Sequence, residues 1–205
     1  GSEVASLPGI KIDEKNIISS TGALSLNKVP KKLAVIGGGY IGLEMGSVWS
    51  RLGSNVTVIE YLDHIIPGMD REISKEFQKI LSKQGIKFLL NNKVTGVKSK
   101  ENKVSVEISD NISKKKGNIE CDKVLVSVGR KPYTEGLNLS KIGISKDKIG
   151  RIEVDKEFRT SVKNIFAIGD VIKGPMLAHK AEEEGIAVAE FLSDQSGHVN
   201  YNVIP

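Results

Sequence analysis

The chain has 205 residues, 39% of them hydrophobic and 27% charged, with a formal net charge of +5; this is the composition of an ordinary globular protein, long enough for one full domain and part of another. No apolar run approaches the roughly 20 residues of a membrane span, and the amino terminus lacks the basic and apolar regions of a secretory signal. Lysine gathers at Lys98, Lys100 and Lys103 and at Lys114, Lys115 and Lys116. Both clusters lie among polar residues without interleaved aromatic rings, which predicts solvated hairpin tips and argues against nucleic acid as a partner.

Residues 1–30 read as irregular, with a turn at Leu7-Pro8-Gly9 and a polar stretch at Ser19-Ser20-Thr21-Gly22 before Val29-Pro30. The first two residues, Gly-Ser rather than Met, are either an added remnant or the interior of a longer protein. The most informative stretch follows. The apolar run Leu33–Ile36 leads into Gly37-Gly38-Gly39-Tyr40-Ile41-Gly42, a helical segment runs through Leu52, and a second apolar run, Val56–Ile59, ends at Glu60. Strand, glycine turn, helix, strand and acidic residue come in the order of a dinucleotide site.

Each part has a physical reason. Gly37 permits the tight turn, Gly39 leaves room for a pyrophosphate against the backbone, and Gly42 lets the helix pack closely on the sheet. The helix start offers free N–H groups and partial positive charge to phosphates. Glu60, 18 positions after Gly42, can accept hydrogen bonds from ribose hydroxyls. Its carboxylate would repel a 2′-phosphate, and no arginine follows until Arg71, so NAD is favoured over NADP. The turn itself also suits FAD.

Further on, Asp63–Gly68 reads as a loop and Asp70 as the N-cap of a helix whose apolar stripe is Ile73, Phe77, Ile80, Leu81 and Gln84, closed by Gly85. Ile86–Leu90 is a third strand. Val94–Ser99, Lys103–Ser109 and Ile119–Val128 alternate in period two, with turns at Glu101-Asn102 and near Gly117. They predict an antiparallel meander over one face of the parallel sheet. Val124–Val128 should rejoin that sheet and deliver Gly129 at its carboxyl end. Cys121, the one cysteine, reads as a small core residue, and its solitude fits a reducing cytoplasm. Ile152–Val154 and Ile165–Ile168 read as short strands, the second ending in Gly169-Asp170, and Leu177–Ser193 as a helix. Trp49 reads as core or interface, and His64 and His198 as loop residues without a role.

These runs resemble the dihydrolipoamide dehydrogenases, which are flavin disulfide oxidoreductases. The resemblance is carried by Ser19–Leu24, the Gly37–Glu44 turn, Asp70–Gly85, Val128-Gly129-Arg130-Lys131-Pro132, Ile165–Asp170 and, most discriminating, Pro175-Met176-Leu177-Ala178-His179-Lys180-Ala181-Glu182. It spans essentially the whole chain. It implies an α/β fold, with a Rossmann-like parallel sheet, helices, a three-stranded antiparallel meander and a partial FAD-domain and central segment. In those terms residues 1–26 are the tail of an FAD-binding domain and linker. Residues 27–152 are the NAD-binding domain, and 153–205 a flavin-contacting central segment leading to an interface domain.

By the same resemblance, Gly37, Gly38, Gly39, Tyr40, Ile41, Gly42, Leu43, Glu44, Glu60, Val94 and Gly129 meet NAD. Gly1, Ser2, Asp170, Met176, Leu177, Ala178 and His179 meet FAD. Tyr40 stands where relatives gate the nicotinamide pocket, and Glu44, placed on the first helical turn, points toward the flavin–nicotinamide region or stabilises the helix start. The family is a homodimer of the bacterial cytoplasm or mitochondrial matrix. It oxidises lipoyl domains of 2-oxo acid dehydrogenase complexes through a redox disulfide and FAD, reducing NAD+. The redox cysteine pair, the first FAD glycine turn and the catalytic His–Glu pair have no counterpart here. The expectation is therefore the NAD-binding portion of such an enzyme, with no catalytic residue and no metal in this chain. A stand-alone NAD-binding module and another NAD(P)H-dependent disulfide reductase are the alternatives.

Overall fold

The computed structural model describes residues 1–101 and 103–204. In chain order its elements are β1 (Ser2–Val4), β2 (Ile17–Ile18), α1 (Ser20–Leu24), β3 (Lys32–Ile36), α2 (Tyr40–Arg51), β4 (Asn55–Ile59), α3 (Arg71–Lys83), β5 (Lys87–Leu89), β6 (Asn92–Lys100), β7 (Lys103–Asp110), β8 (Lys116–Cys121), β9 (Lys123–Val126), β10 (Arg130–Pro132) and α4 (Ala178–Leu192). They form two compact units, Val4–Gly129 and a second made of Gly1–Glu3 with Arg130–Pro205.

The first unit is built on a parallel sheet of order β2-β9-β3-β4-β5. Period-two alternation sorts β3 between two cores. Leu33 and Val35 face a cluster with Val56, Val58, Leu43, Trp49 and Leu81, so α2 and α3 cover that side. Ala34 and Ile36 face the other cluster, with Ile59, Val124, Val126, Val104, Val106 and Cys121, and the antiparallel sheet β6-β7-β8 covers it. Successive crossovers carry the chain from β3 to β4 to β5, whereas β9 lies on the other side of β3. The strand order therefore reverses at β3, and the crevice beyond its carboxyl end is where open α/β sheets hold ligands.

The predicted α/β architecture, with its meander on one sheet face, is present, and several elements differ in detail. Residues 1–30 are largely irregular, as expected, but hold three short elements, β1, β2 and α1. Ile17–Ile18 pairs in parallel with β9 at the sheet edge, and Ser19 caps α1 by accepting from Thr21 N–H. The Ile119–Val128 run divides at Asp122. Its N–H donates to the Lys32 carbonyl at 2.9 Å and its carboxylate accepts from Lys32 N–H at 2.9 Å, which turns β8 of the meander into β9 of the parallel sheet. Gly117 lies inside β8, paired with Ile108, so the lysine tip precedes it. Of the Glu101-Asn102 turn, Asn102 lies outside the described residues.

Asp70 caps α3, accepting from Glu72 and Ile73 N–H. Its buried stripe is Ser74, Phe77 and Leu81, however; Ile73 and Ile80 are exposed. The second unit pairs β1 with β10 and packs Leu139, Ile144, Ile152, Phe158, Ala167, Val171, Ile172 and Ala187 into its own core. The two short strands expected there reduce to isolated bridges, Lys146 with Ile152 and Arg159 with Phe166.

Candidate functional site

At the carboxyl end of β3 the backbone is committed before any ligand arrives. Gly37 has φ +106°, and a Cβ there would stand 2.4 Å from the Ser127 carbonyl. Its N–H donates to the Ile59 carbonyl at 2.9 Å. A Cβ on Gly42 would meet the Gly37 carbonyl at 2.2 Å and Ser127 Oγ at 2.6 Å, so this glycine sets how closely α2 approaches the sheet. Gly39 differs: a Cβ there would find no protein atom within 4 Å. The space in front of this N-cap residue is open, and α2 starts there without a side-chain cap, so its first N–H groups have no side-chain acceptor.

Glu60 closes the other side of the turn. It is 8% exposed, with Oε2 accepting from Gly38 N–H at 2.6 Å and Oε1 from Leu62 N–H at 2.9 Å. Both oxygens keep a free lone pair for a ligand hydroxyl. The carboxylate thus braces the glycine turn besides standing where a ribose would arrive, which its place at a strand end does not disclose.

Tyr40 is exposed at the start of α2, Ile41 half-buried, and Leu43 buried in the helix-side core. Glu44 is exposed and belongs to the second turn, not the first: α2 has no acidic residue in its first turn, so the helix-start role expected of it falls away. Trp49 is core. Val94 is half-buried against the meander-side core, and Gly129, at φ +116°, follows β9 with open space beside it. Ser127, absent from the predicted set, donates to the Ile36 carbonyl at 3.0 Å and supports the turn from β9.

All residues expected at the nicotinamide dinucleotide belong to the Val4–Gly129 unit, and all those expected at the flavin to the other. In that second unit Asp170 sits half-buried in a 3-10 turn, Gly169–Val171. Ser2 Oγ donates to its carboxylate and accepts from Arg130 Nε at 2.7 Å. Gly1 is exposed, its carbonyl accepting from Tyr133 N–H at 2.9 Å. Leu177 is the N-cap of α4, again without a side-chain cap; Met176 and Leu177 are half-buried, Ala178 and His179 exposed.

Beneath Asp170 lies an arrangement the sequence did not disclose. Lys180 and Glu184 are both fully buried, paired at 2.8 Å. Glu184 also accepts from Gly169 N–H at 2.7 Å and from the Tyr201 hydroxyl at 2.8 Å, and Lys180 Nζ reaches the Gly169 carbonyl at 3.3 Å. Burial and the Glu184 carboxylate push the Tyr201 phenol well above its ordinary pKa. Among the described residues there is no cluster of His, Cys, Asp or Glu fit for a metal ion, and no helix is long and apolar enough to cross a membrane.

A glycine turn at a sheet switch point, with an open cradle and a braced carboxylate, defines a nucleotide-binding α/β unit. The profile of the pyridine nucleotide-disulphide oxidoreductase family matches residues 1–185; the chain belongs to that family. Over 205 residues it is 57% identical to the mitochondrial dihydrolipoyl dehydrogenase of Pisum sativum, covering 100% of this chain and 41% of that protein. Over 207 residues it is 59% identical to the mitochondrial dihydrolipoyl dehydrogenase of Dictyostelium discoideum, covering 100% and 42%. Among solved structures it superposes on LpdA of Mycobacterium tuberculosis with a TM-score of 0.88 at 26% identity, over 100% of this chain and 44% of that one. For the flavoprotein disulfide reductase RclA of Escherichia coli the TM-score is 0.87 at 30% identity, over 98% and 44%. The family works with FAD and NAD. The chain spans about two fifths of the length of the curated relatives it matches, 41% and 42% for these two.

Proposed function

We propose that the Val4–Gly129 unit binds NAD in preference to NADP, as the pyridine-nucleotide portion of a dihydrolipoyl dehydrogenase. The observation that carries this reading is the open space at Gly39, framed by the uncapped start of α2 and by Glu60. Gly37–Leu43 cradle the pyrophosphate, the Tyr40 side chain flanks the nicotinamide, and Glu44, Val94 and Gly129 line the remainder. Glu60 takes the adenosine ribose hydroxyls and disfavours a 2′-phosphate by charge.

In the whole protein, Gly1, Ser2, Asp170 and Met176–His179 contact FAD. Asp170 binds the ribityl or ribose portion, and the start of α4 offers N–H groups and positive partial charge toward the flavin ring. The domain reading is likewise a proposal: 1–26 as the end of a flavin domain, 27–152 for NAD, 153–205 as a central segment. The whole protein would be a homodimer of the mitochondrial matrix or a bacterial cytoplasm. Its substrates would be lipoyl domains of 2-oxo acid dehydrogenase complexes, with a redox disulfide supplied by residues outside this sequence.

Calorimetric titration of the purified chain with NADH and NADPH tests the proposal. Saturable NADH binding with NADPH at least about tenfold weaker is expected, a difference of about 1.4 kcal/mol. Absence of binding by either nucleotide would refute it.

A further inference from the structure

Arg71, the first arginine after Glu60, could fork a phosphate, and the structure shows it already paired. Its two terminal nitrogens donate to both oxygens of Asp63, at 2.9 Å and 2.7 Å. His64 Nδ1 lies 2.7 Å from the same carboxylate. Asp63, which holds one end of the pair, follows closely on the carboxylate of the proposed ribose site. Glu60 Oε1 accepts from Leu62 N–H at 2.9 Å and Asp63 is the next residue, so its Cα lies within about 8 Å of the Glu60 carboxylate. The loop that carries it is pinned to the glycine turn, Ile66 N–H donating to the Gly38 carbonyl at 2.7 Å. It is pinned also to α3, Ser74 Oγ donating to the Ile65 carbonyl at 2.8 Å. Asp63, His64, Arg71 and Lys75 share one surface depression beside that loop.

We propose that the Asp63–Arg71 fork is a specificity latch, in which Asp63 keeps Arg71 from serving a nucleotide 2′-phosphate and so adds to the exclusion of NADP that Glu60 begins. This inference rests on the reading of Gly37–Glu60 as an NAD site. The charge arithmetic is simple. Latched, the pair is neutral and its donors are spent, and a phosphate that drew Arg71 away would face the bared Asp63 carboxylate. Unlatched by Asp63→Ala, the same arginine becomes an uncompensated cation with free fork geometry. Both side chains are more than half exposed, and exposed pairs contribute little to stability, so the variant folds.

The test measures NADH and NADPH dissociation constants for the parent chain, Asp63→Ala and Asp63→Ala/Arg71→Ala. The expected result is a fall of about tenfold in the NADPH-to-NADH ratio for Asp63→Ala, the order of gain from a freed surface cation meeting a phosphate, shrinking as salt screens it. The double variant should return to near the parent ratio. An unchanged ratio in Asp63→Ala with NADH still bound overturns the latch and leaves the NAD site standing. A gain that survives removal of Arg71 also overturns it, since Asp63 repulsion alone would then explain the effect. A parent chain that binds neither nucleotide fails at the first step, overturning the NAD site and the latch with it.

Discussion

At the scale of single residues, Gly39, proposed to leave room for a ligand, contrasts with Gly42, which the packing of α2 on the sheet requires. Gly39→Ala puts its methyl into open space at an N-cap, where Ala in place of Gly changes stability by less than about 1 kcal/mol; NADH affinity should nevertheless fall at least about tenfold. Gly42→Ala drives a methyl to 2.2 Å from a backbone oxygen, so α2 must move off the sheet. Stability should fall by about 2 kcal/mol or more, in the range of overpacked cores. Thermal melts beside NADH titrations check both, and equal behaviour of the two variants would contradict the assignment. The glycines and Glu60 were legible because backbone room and a strand-end carboxylate leave a local pattern. The Lys180–Glu184 pair was not. Lysine and glutamate four apart usually mark a solvated helix face, and Glu182-Glu183-Glu184 gives no sign of which carboxylate turns inward. Lys180→Ala should cost about 3–5 kcal/mol by leaving Glu184 buried and uncompensated. Lys180→Met/Glu184→Leu should recover part of that loss in urea unfolding.

At the scale of elements, hydrophobic period fixed the type of each long segment and misplaced one face. Of the stripe predicted on α3, Phe77 and Leu81 pack on the core, whereas Ile73 and Ile80 are exposed. The buried line starts at Ser74 instead of Ile73, because the Ser74 hydroxyl donates to the Ile65 carbonyl and so can be buried. Leu81→Ala should therefore cost about 2–5 kcal/mol and Ile80→Ala less than about 0.5, compared by denaturant midpoint. The break at Asp122 was hidden because the alternation of Ile119 and Cys121 runs on into Val124 and Val126, and it is the pairing of Asp122 with Lys32 that sends the two runs to different sheets. That junction buries Cys121, whose thiol is pushed up to about 11, chiefly by burial. A folded pKa above the unfolded value of 9.0 means the neutral thiol stabilises the fold below pH 9, and this contribution is lost as pH rises through about 11. Unfolding free energy should decline over that window by up to about 3 kcal/mol, less so in Cys121→Ala. At pH 8 the native thiol should react with alkylating reagents only as fast as the chain opens.

At the scale of the whole molecule, binding and chemistry separate, and what the chain can do is decided by what its two units contain. Every group proposed to hold the nucleotide, from the glycine turn at the switch point to the braced carboxylate, comes from Val4–Gly129. Turnover with a dithiol asks for more. A thiol–disulfide cycle needs two sulfurs within bonding reach, and the chain has one cysteine, buried in the core between the two sheets with its thiol held protonated. No arrangement of these residues can store the two electrons of dihydrolipoamide as a disulfide within one molecule. The chain should therefore bind NADH and be stabilised by it, its melting temperature rising with nucleotide concentration by mass action. Mixed with dihydrolipoamide and NAD+, it should form no NADH above the buffer rate, followed by absorbance at 340 nm, the ordinary nicotinamide band. Steady NADH production would mean that electrons pass to the nucleotide without the disulfide, and the assignment of this chain as the nucleotide-binding share of a longer reaction path would have to be given up.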